Sequence, residues 1–303
     1  MILVTGGAGF LGRNLLKKLF NGKIRVRCLV RDRKKIDNDA KVEIIEGDIL
    51  DRESLYKAAQ DVDTVIHLAA IIRSGDNNDF IRVNVDGTRN LVDACLKNGV
   101  QRIIYISSLD AGLKNANIYG RTKAIAEDIV RKSGIDYIIL RPALIYGKGS
   151  KDICLLAELI KRYPVIPVFG DGEGLLQPVY VDDVCDVILK LINDRNIKNK
   201  IYYVAGKEKI SLNSLIDKIA GLFSKRVIKI HIPLWVLWLP LRVYNLFEKK
   251  SLINYKSLSI LSMDKVCEIG EVRGDLNFKP LNLEEGLKSV FLKGEVISNK
   301  LYL

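Results

Sequence analysis

Thr5-Gly6-Gly7-Ala8-Gly9-Phe10-Leu11-Gly12 comes directly after the apolar run at residues 1–4 and opens an apolar-striped stretch over residues 11–19. Glycines spaced GxxGxxG between a strand and a helix decide the fold. The first permits a tight turn, the second lets the backbone approach a pyrophosphate, and the third lets helix and strand pack closely. The helix N-terminus adds free N–H groups and the positive end of a dipole. Gly6, Gly9, Phe10, Leu11 and Gly12 are therefore the candidate phosphate-binding residues of a dinucleotide site.

Outward from this turn, short apolar runs alternate with amphipathic stretches. IRVRCLV (24–30) precedes 51–59, TVIHLAA (64–70) precedes 83–96, RIIYISS (102–108) precedes 119–132, and YIILRP (137–142) comes last. Strand and helix recur at roughly 30-residue intervals, the rhythm of right-handed βαβ units. The expected fold is α/β, a doubly wound Rossmann parallel sheet with a smaller, interleaved C-terminal substrate-binding region. Residues 1–147 are expected to form the dinucleotide-binding core, completed by about 179–206, with 148–178 and 207–303 building the substrate region.

The composition of the 303 residues, 48% hydrophobic and 28% charged, is that of a globular chain with one large core. The formal charge of +12 is spread out. Its densest runs, Arg31 to Lys35 interrupted by Asp32 and Lys249-Lys250 beside Glu248, lack interleaved aromatics, so nucleic acid is not the expected partner. Five cysteines without CxxC spacing, mostly among apolar neighbours, point to a reduced cytoplasmic protein. Two histidines leave little material for a His-based zinc site or a Ser/His/Asp triad. The first strand begins at once, without a charged n-region or cleavage site, so secretion is not expected.

The end of the second strand reads Leu29-Val30-Arg31-Asp32. An acid here would hold the ribose 2′-OH of NAD, and an arginine would accommodate the extra phosphate of NADP. Arg31 takes the first position, with three more basic residues behind Asp32. NADP(H) is the favoured cofactor, and Asp32 keeps NAD(H) open.

Tyr119-Gly120-Arg121-Thr122-Lys123 places a phenol and an ammonium at i and i+4, on one helix face. A cation held close lowers the phenol's pKa and makes Tyr119 a usable general acid/base beside a nicotinamide. The pair stands shortly after Ser107-Ser108 at the end of the fifth strand.

TGGAGFLG, Gly47-Asp48, His67-Leu68-Ala69-Ala70, Asn84-Val85-Asp86-Gly87-Thr88, the YxxxK helix and Arg141-Pro142 with Tyr146-Gly147 succeed one another as in the extended or atypical short-chain dehydrogenase/reductases, which this chain resembles. The resemblance implies that Asp48 and Ile49 meet the adenine and that the Leu68, Ala69 and Ala70 backbone lines the cofactor. It implies that Lys123 also holds the ribose hydroxyls, and that Pro142 backs the nicotinamide. Ser108, chosen over Ser107, would polarise the substrate oxygen. The gap from Ser108 to Tyr119 is short beside nucleotide-sugar epimerases. Gln177-Pro178 also stands where those enzymes commonly carry an Arg-Asp pair for the diphosphate, which weakens a sugar-nucleotide reading.

QPVYVDDV (177–184), IDYIILRPALIYG (135–147), the Trp-rich segment and the closing LNFKP (276–280) with LEEGL (283–287) are most similar to bacterial and archaeal relatives of the complex I accessory subunit. The primary expectation is hydride transfer on a carbonyl or alcohol by Ser108, Tyr119 and Lys123. The alternatives are a nucleotide-sugar epimerase/dehydratase and a non-catalytic NADP(H)-binding module docked on a membrane complex. The segment 228–250 contains an uncharged stretch over 230–241, too short to span a bilayer, which needs ~20 residues. It is read as a helix covering an apolar pocket or core. A peripheral contact with the inner face of the membrane, or with a membrane complex, is the competing reading, and a homodimer is left open.

Overall fold

The computed structural model describes residues 1–20, 24–36, 42–233, 235–236 and 263–292. The first half runs β1 (Ile2–Thr5), α1 (Phe10–Phe20), β2 (Val26–Val30), β3 (Val42–Glu46), α2 (Arg52–Ala58), β4 (Thr64–His67), α3 (Asn77–Phe80), α4 (Gly87–Lys97), β5 (Arg102–Ile106), α5 (Ile118–Arg131) and β6 (Asp136–Pro142). Then come β7 (Ile145–Tyr146), α6 (Lys151–Arg162), β8 (Val165–Phe169), β9 (Leu175–Leu176), β10 (Val179–Tyr180), α7 (Val181–Asn193), β11 (Lys200–Val204), β12 (Ile210–Ser211), α8 (Leu212–Leu222) and β13 (Ile228–Ile232). Two helices close the described chain, α9 (Gly270–Leu276) and α10 (Leu283–Phe291).

Seven strands pair in parallel in the order β11-β6-β5-β4-β1-β2-β3. Every residue of β1, β2, β4 and β5 is buried, as expected of parallel strands covered on both faces. On one face Leu15, Leu16 and Leu19 of α1 pack with Val184, Ile188 and Leu191 of α7. On the other, Leu55 of α2, Leu91 of α4 and Val130 of α5 share a second core. This is the doubly wound architecture expected from the alternation of runs. A third core, around Tyr146, Ile160, Ile166, Val168, Ile219 and Leu287, lies beyond the sheet.

Caps fix where the functional helices begin. Asp51 accepts from the Glu53 amide at 3.0 Å in front of α2. Asn117 accepts from the Gly120 amide at 2.8 Å and so sets the first turn of α5, which carries Tyr119.

One expectation is corrected here. Residues 228–232, read as the start of a helix, form β13, paired in parallel with β8. Ile-Lys-Ile-His-Ile alternates with period two and is β-branched at every other position, and that local preference wins over the apolar character of the adjoining run at 232–241. The Trp-rich remainder of the segment lies outside the described residues except for Pro233, Trp235 and Val236.

Candidate active site

The strand order reverses between β1 and β4, and in open α/β sheets ligands bind at the carboxyl ends of the strands at such a point. The glycine turn sits there. Gly6 has φ +74°, and a Cβ on it would lie 2.6 Å from the Ala69 amide nitrogen, so the β1 and β4 turns touch backbone to backbone. A Cβ on Gly12 would strike the Gly6 carbonyl oxygen, which is the close helix–strand approach the third glycine allows. Gly9 is exposed, its amide donating to the Gly6 carbonyl at 3.0 Å, and the first turn of α1 carries no acid. A concave backbone turn at a helix N-terminus free of carboxylates fits a dinucleotide pyrophosphate. Leu11 is half-buried behind it, and the Phe10 ring lies against Gly147 and Gly149.

The other expected cofactor residues lie around the same strand ends. Arg31 is exposed at the end of β2, with no ion pair among the described residues. Asp32 spends one carboxylate oxygen on its own turn, accepting from the Lys34 amide at 3.0 Å. Asp48 likewise accepts from the Leu50 amide at 2.9 Å, and Ile49 is buried against Gly87. Leu68, Ala69 and Ala70 are half-buried after β4, and Pro142 ends β6, buried opposite Val204.

Asn84, noted in the sequence only as part of a motif, positions the segment after β4. Its side chain accepts from the Ile71 amide at 2.8 Å, donates to the Ile71 carbonyl at 3.1 Å and donates to the Thr122 hydroxyl at 3.2 Å. One residue thus ties the cofactor-facing turn to the helix of Tyr119. His67, also unassigned from sequence, is fully buried between the hydroxyls of Thr5, 2.7 Å from Nδ1, and Thr88, 3.0 Å from Nε2. Burial, and secondarily the nearby Lys123 charge, press its pKa down to about 3.

Ser108, Tyr119 and Lys123 come together above the end of β5. Ser108 lies near enough to Tyr119 to pull the phenol's pKa down, and its own hydroxyl accepts from the Asp110 amide at 3.2 Å. Ser107, by contrast, is buried with its hydroxyl unpaired among the described residues, which leaves Ser108 as the serine that faces the phenol. The lysine does not do what its spacing promised. Its ammonium donates to the Ile106 carbonyl at 2.6 Å and lies 4.2 Å from the centre of the Tyr105 ring. Burial lowers the Lys123 pKa to about 7, with Glu127 opposing. The phenol is pushed up to about 12 by burial, with Ser108 pulling it down and Asp110 pushing it further up. The expected depression towards neutrality is therefore absent, because Lys123 turns to a backbone carbonyl and desolvation dominates at Tyr119. One turn on, Glu127 is clamped by Arg141 through two bonds of 3.0 and 2.6 Å, and Arg141 also donates to the Tyr203 hydroxyl at 2.6 Å.

The C-terminal region closes on this site through long-range contacts. Asp110, two residues past Ser108, is paired with Lys265 at 3.0 Å. Gln177 is buried and uses both ends of its amide, donating to the Gly206 carbonyl at 2.8 Å and accepting from the Cys267 amide at 2.9 Å. The glutamine thus ties the end of β11 to the residues around Cys267. Cys28, Cys95 and Cys185 are buried, and desolvation raises each thiol to about 12, so none is a nucleophile. Among the described residues no cluster of metal-ligating side chains occurs, and no helix is long and apolar enough to cross a membrane.

A Rossmann sheet with a glycine cradle at its switch point and a Ser/Tyr/Lys group at the neighbouring strand end defines a dinucleotide-dependent oxidoreductase of the extended short-chain type. Residues 2–206 match the model of the NAD dependent epimerase/dehydratase family, and the chain belongs to that family. A ceramide reductase of Caulobacter vibrioides is 34% identical over 186 residues, an alignment taking in 60% of this chain and 58% of the reductase. The mitochondrial NADH dehydrogenase [ubiquinone] 1 alpha subcomplex subunit 9 of Mus musculus is 30% identical over 241 residues, 77% of this chain and 64% of the subunit. This second match agrees with the resemblance to complex I accessory proteins. Among solved structures, MoeE5 in complex with UDP-glucose and NAD superposes with a TM-score of 0.77 at 22% identity, covering 95% of this chain and 96% of that one, a likeness of fold.

Proposed function

We propose that this protein reduces a carbonyl group on a large apolar substrate, using NADP(H) in preference to NAD(H), with Tyr119 as the proton donor. The observation that carries the reading is the placement of Ser108 and Tyr119 together at the end of β5, two strands from the β1 glycine turn. A phenol with a pKa near 12 stays protonated at neutral pH, the state a reductive step requires. When bound, the nicotinamide supplies the hydride. Ser108 orients the substrate oxygen, and Tyr119 delivers a proton from its phenolic oxygen as the alcohol forms. Lys123 anchors the floor of the site against the Ile106 carbonyl, from which its buried ammonium would have to turn to meet the ribose hydroxyls. Gly6, Gly9, Phe10, Leu11 and Gly12 hold the pyrophosphate, Asp48, Ile49 and the Leu68–Ala70 backbone border the adenine side, and Pro142 backs the nicotinamide.

The preference for NADP(H) rests on Arg31, exposed and without an ion-pair partner among the described residues, beside an Asp32 whose carboxylate already caps its turn. The apolar substrate class is supported by the saturated Gln177, which leaves no cation for a sugar diphosphate at that position, and by the ceramide reductase among the relatives. A substrate of this class is met at the inner face of a membrane, where this reading has the protein work. The test is to release and identify the nucleotide that co-purifies, then track its redox state as long-chain ketones, sterol-like ketones and sugar nucleotides are added. Oxidation of bound NADPH by an apolar ketone supports the reading. Cycling of NAD(H) with a sugar nucleotide, or a nucleotide that no substrate oxidises, overturns it.

A further inference from the structure

The small sheet of β8 and β13 is turned the wrong way for a protein surrounded by water. Ile166 and Val168 point into the third core, so Val165, Pro167 and Phe169 point outward. On β13 the polar side chains turn towards α8, although His231 remains exposed. Lys229 is bound to Asp217 on α8 at 2.6 Å, and His231 lies 3.1 Å from the Asn213 side chain at the start of the same helix. Ile228, Ile230 and Ile232 therefore occupy the outer face, each opposite its β8 partner in the register Ile228↔Val165, Ile230↔Pro167 and Ile232↔Phe169. Six apolar side chains tile one face without a polar residue among them. Ile228 is 66% exposed and Ile230 51%, where a solvent-facing strand would carry charges or threonines. Trp235, 74% exposed, extends the surface at one end.

The opposite end is cationic. Both strands begin there, behind Lys161-Arg162 at the end of α6 and Lys225-Arg226 before β13, and the Lys225 ammonium reaches the Lys161 carbonyl, so the two pairs are adjacent. Lys161 is partnered by Glu158, but Arg162 and Arg226 are exposed with no partner among the described residues. Tyr163 stands between them and the sheet, half exposed. An apolar face, bordered at one end by these guanidinium groups and at the other by an exposed indole, is matched to the boundary of a bilayer. The acyl region takes the aliphatic side chains, the headgroup layer takes Trp and Tyr, and anionic phosphates take the arginines.

We infer that the outer face of β8 and β13 docks this protein on a bilayer containing anionic phospholipid. This names the surface and the lipid charge for the membrane contact proposed above, and it rests on that reading. After Val236 the next described residues begin at 263, two residues before Lys265, which pairs with Asp110.

The test is sedimentation of the full chain with vesicles of phosphatidylcholine alone or mixed with phosphatidylglycerol, in parallel with solution mass and NADPH oxidation by a water-soluble ketone. The parent should sediment with the mixed vesicles and far less with neutral ones, and salt should weaken the association. Ile228→Asp with Ile230→Asp should abolish sedimentation. Arg162→Glu with Arg226→Glu should cut vesicle affinity by roughly tenfold or more. Both pairs should keep the parent's nucleotide affinity and soluble turnover, which separates loss of docking from loss of fold. A parent that ignores anionic vesicles, or isoleucine variants that still sediment, would overturn the inference. So would a parent dimer that the isoleucine changes convert to monomer without any vesicle binding, because a second copy would then be what covers the face. Loss of turnover in the parent with vesicle binding intact would instead count against the proposed reaction alone.

Discussion

In the seven-stranded sheet every residue of β1, β2, β4 and β5 is buried, whereas the two-stranded sheet buries only Ile166 and Val168 and turns six apolar side chains outward. The first region spends its apolar surface on itself and holds a glycine turn, a phenol and a lysine in fixed relation. The second leaves apolar surface free for something else. The difference separates two jobs within one chain. In the proposed reading, rigid packing positions the chemistry, and the outward apolar face of the small sheet meets the membrane from which the substrate comes.

The comparison breaks most sharply at Tyr119. Tyr119→Phe removes the proton donor and keeps the ring, so turnover should fall by about 10²–10⁴-fold while nucleotide affinity, measured by fluorescence titration, stays within about twofold. Next is Gly6→Val, which puts a β-branched side chain at φ +74° against the Ala69 backbone. Strain and collision together should cost about 3 kcal/mol or more and prevent nucleotide binding, read by thermal unfolding with and without NADPH. Arg31→Ala should weaken NADP(H) by about tenfold and leave NAD(H) nearly unchanged, because one charge-assisted phosphate contact is lost. Equal weakening of both would remove the basis for the cofactor preference. Gln177→Leu, in the second region, strands the Gly206 carbonyl and the Cys267 amide and should cost about 1–3 kcal/mol of stability without altering nucleotide affinity.

The smallest effect is a slope. His67 is held neutral down to about pH 3 in the fold, whereas an unfolded histidine takes up its proton near pH 6.5. Below 6.5 the unfolded state therefore binds more protons, and the fold loses stability as pH falls towards 3. His67→Gln lacks that contribution, so its Tm should decline less steeply than the parent's between pH 6.5 and about 4. Parallel curves would mean that His67 is protonated in the folded protein.

The two regions also differ in how far the sequence reveals them. The core strands β1, β4 and β5 are short, largely apolar runs, and the glycine turn lies within eight residues, so local pattern suffices. The Ser108-to-Tyr119 spacing likewise corresponds to neighbouring elements, the turn after β5 and the first turn of α5. What spacing could not supply was orientation. Lys123 shares a helix face with Tyr119, yet its ammonium finds the Ile106 carbonyl, 17 residues away in sequence. His67 gains its role only from Thr5 and Thr88, which lie on other elements. In the second region β7, β9, β10 and β12 have two residues each, too few for a period to register. Its ties, such as Gln177 to Cys267 and Asp110 to Lys265, join residues far apart in the chain. β13 was concealed for another reason, since its alternation merges into the neighbouring apolar run.

The central claim is that Tyr119 and its neighbours carry out hydride chemistry. It is tested most directly by giving the protein NADPH deuterated at the transferable position of the nicotinamide, together with a long-chain ketone, and analysing the alcohol by mass spectrometry. One deuterium on the carbinol carbon, lost in Tyr119→Phe, is the predicted result. Tightly bound, unreacted nucleotide and unlabelled ketone would contradict the account and leave a dinucleotide that serves the fold alone.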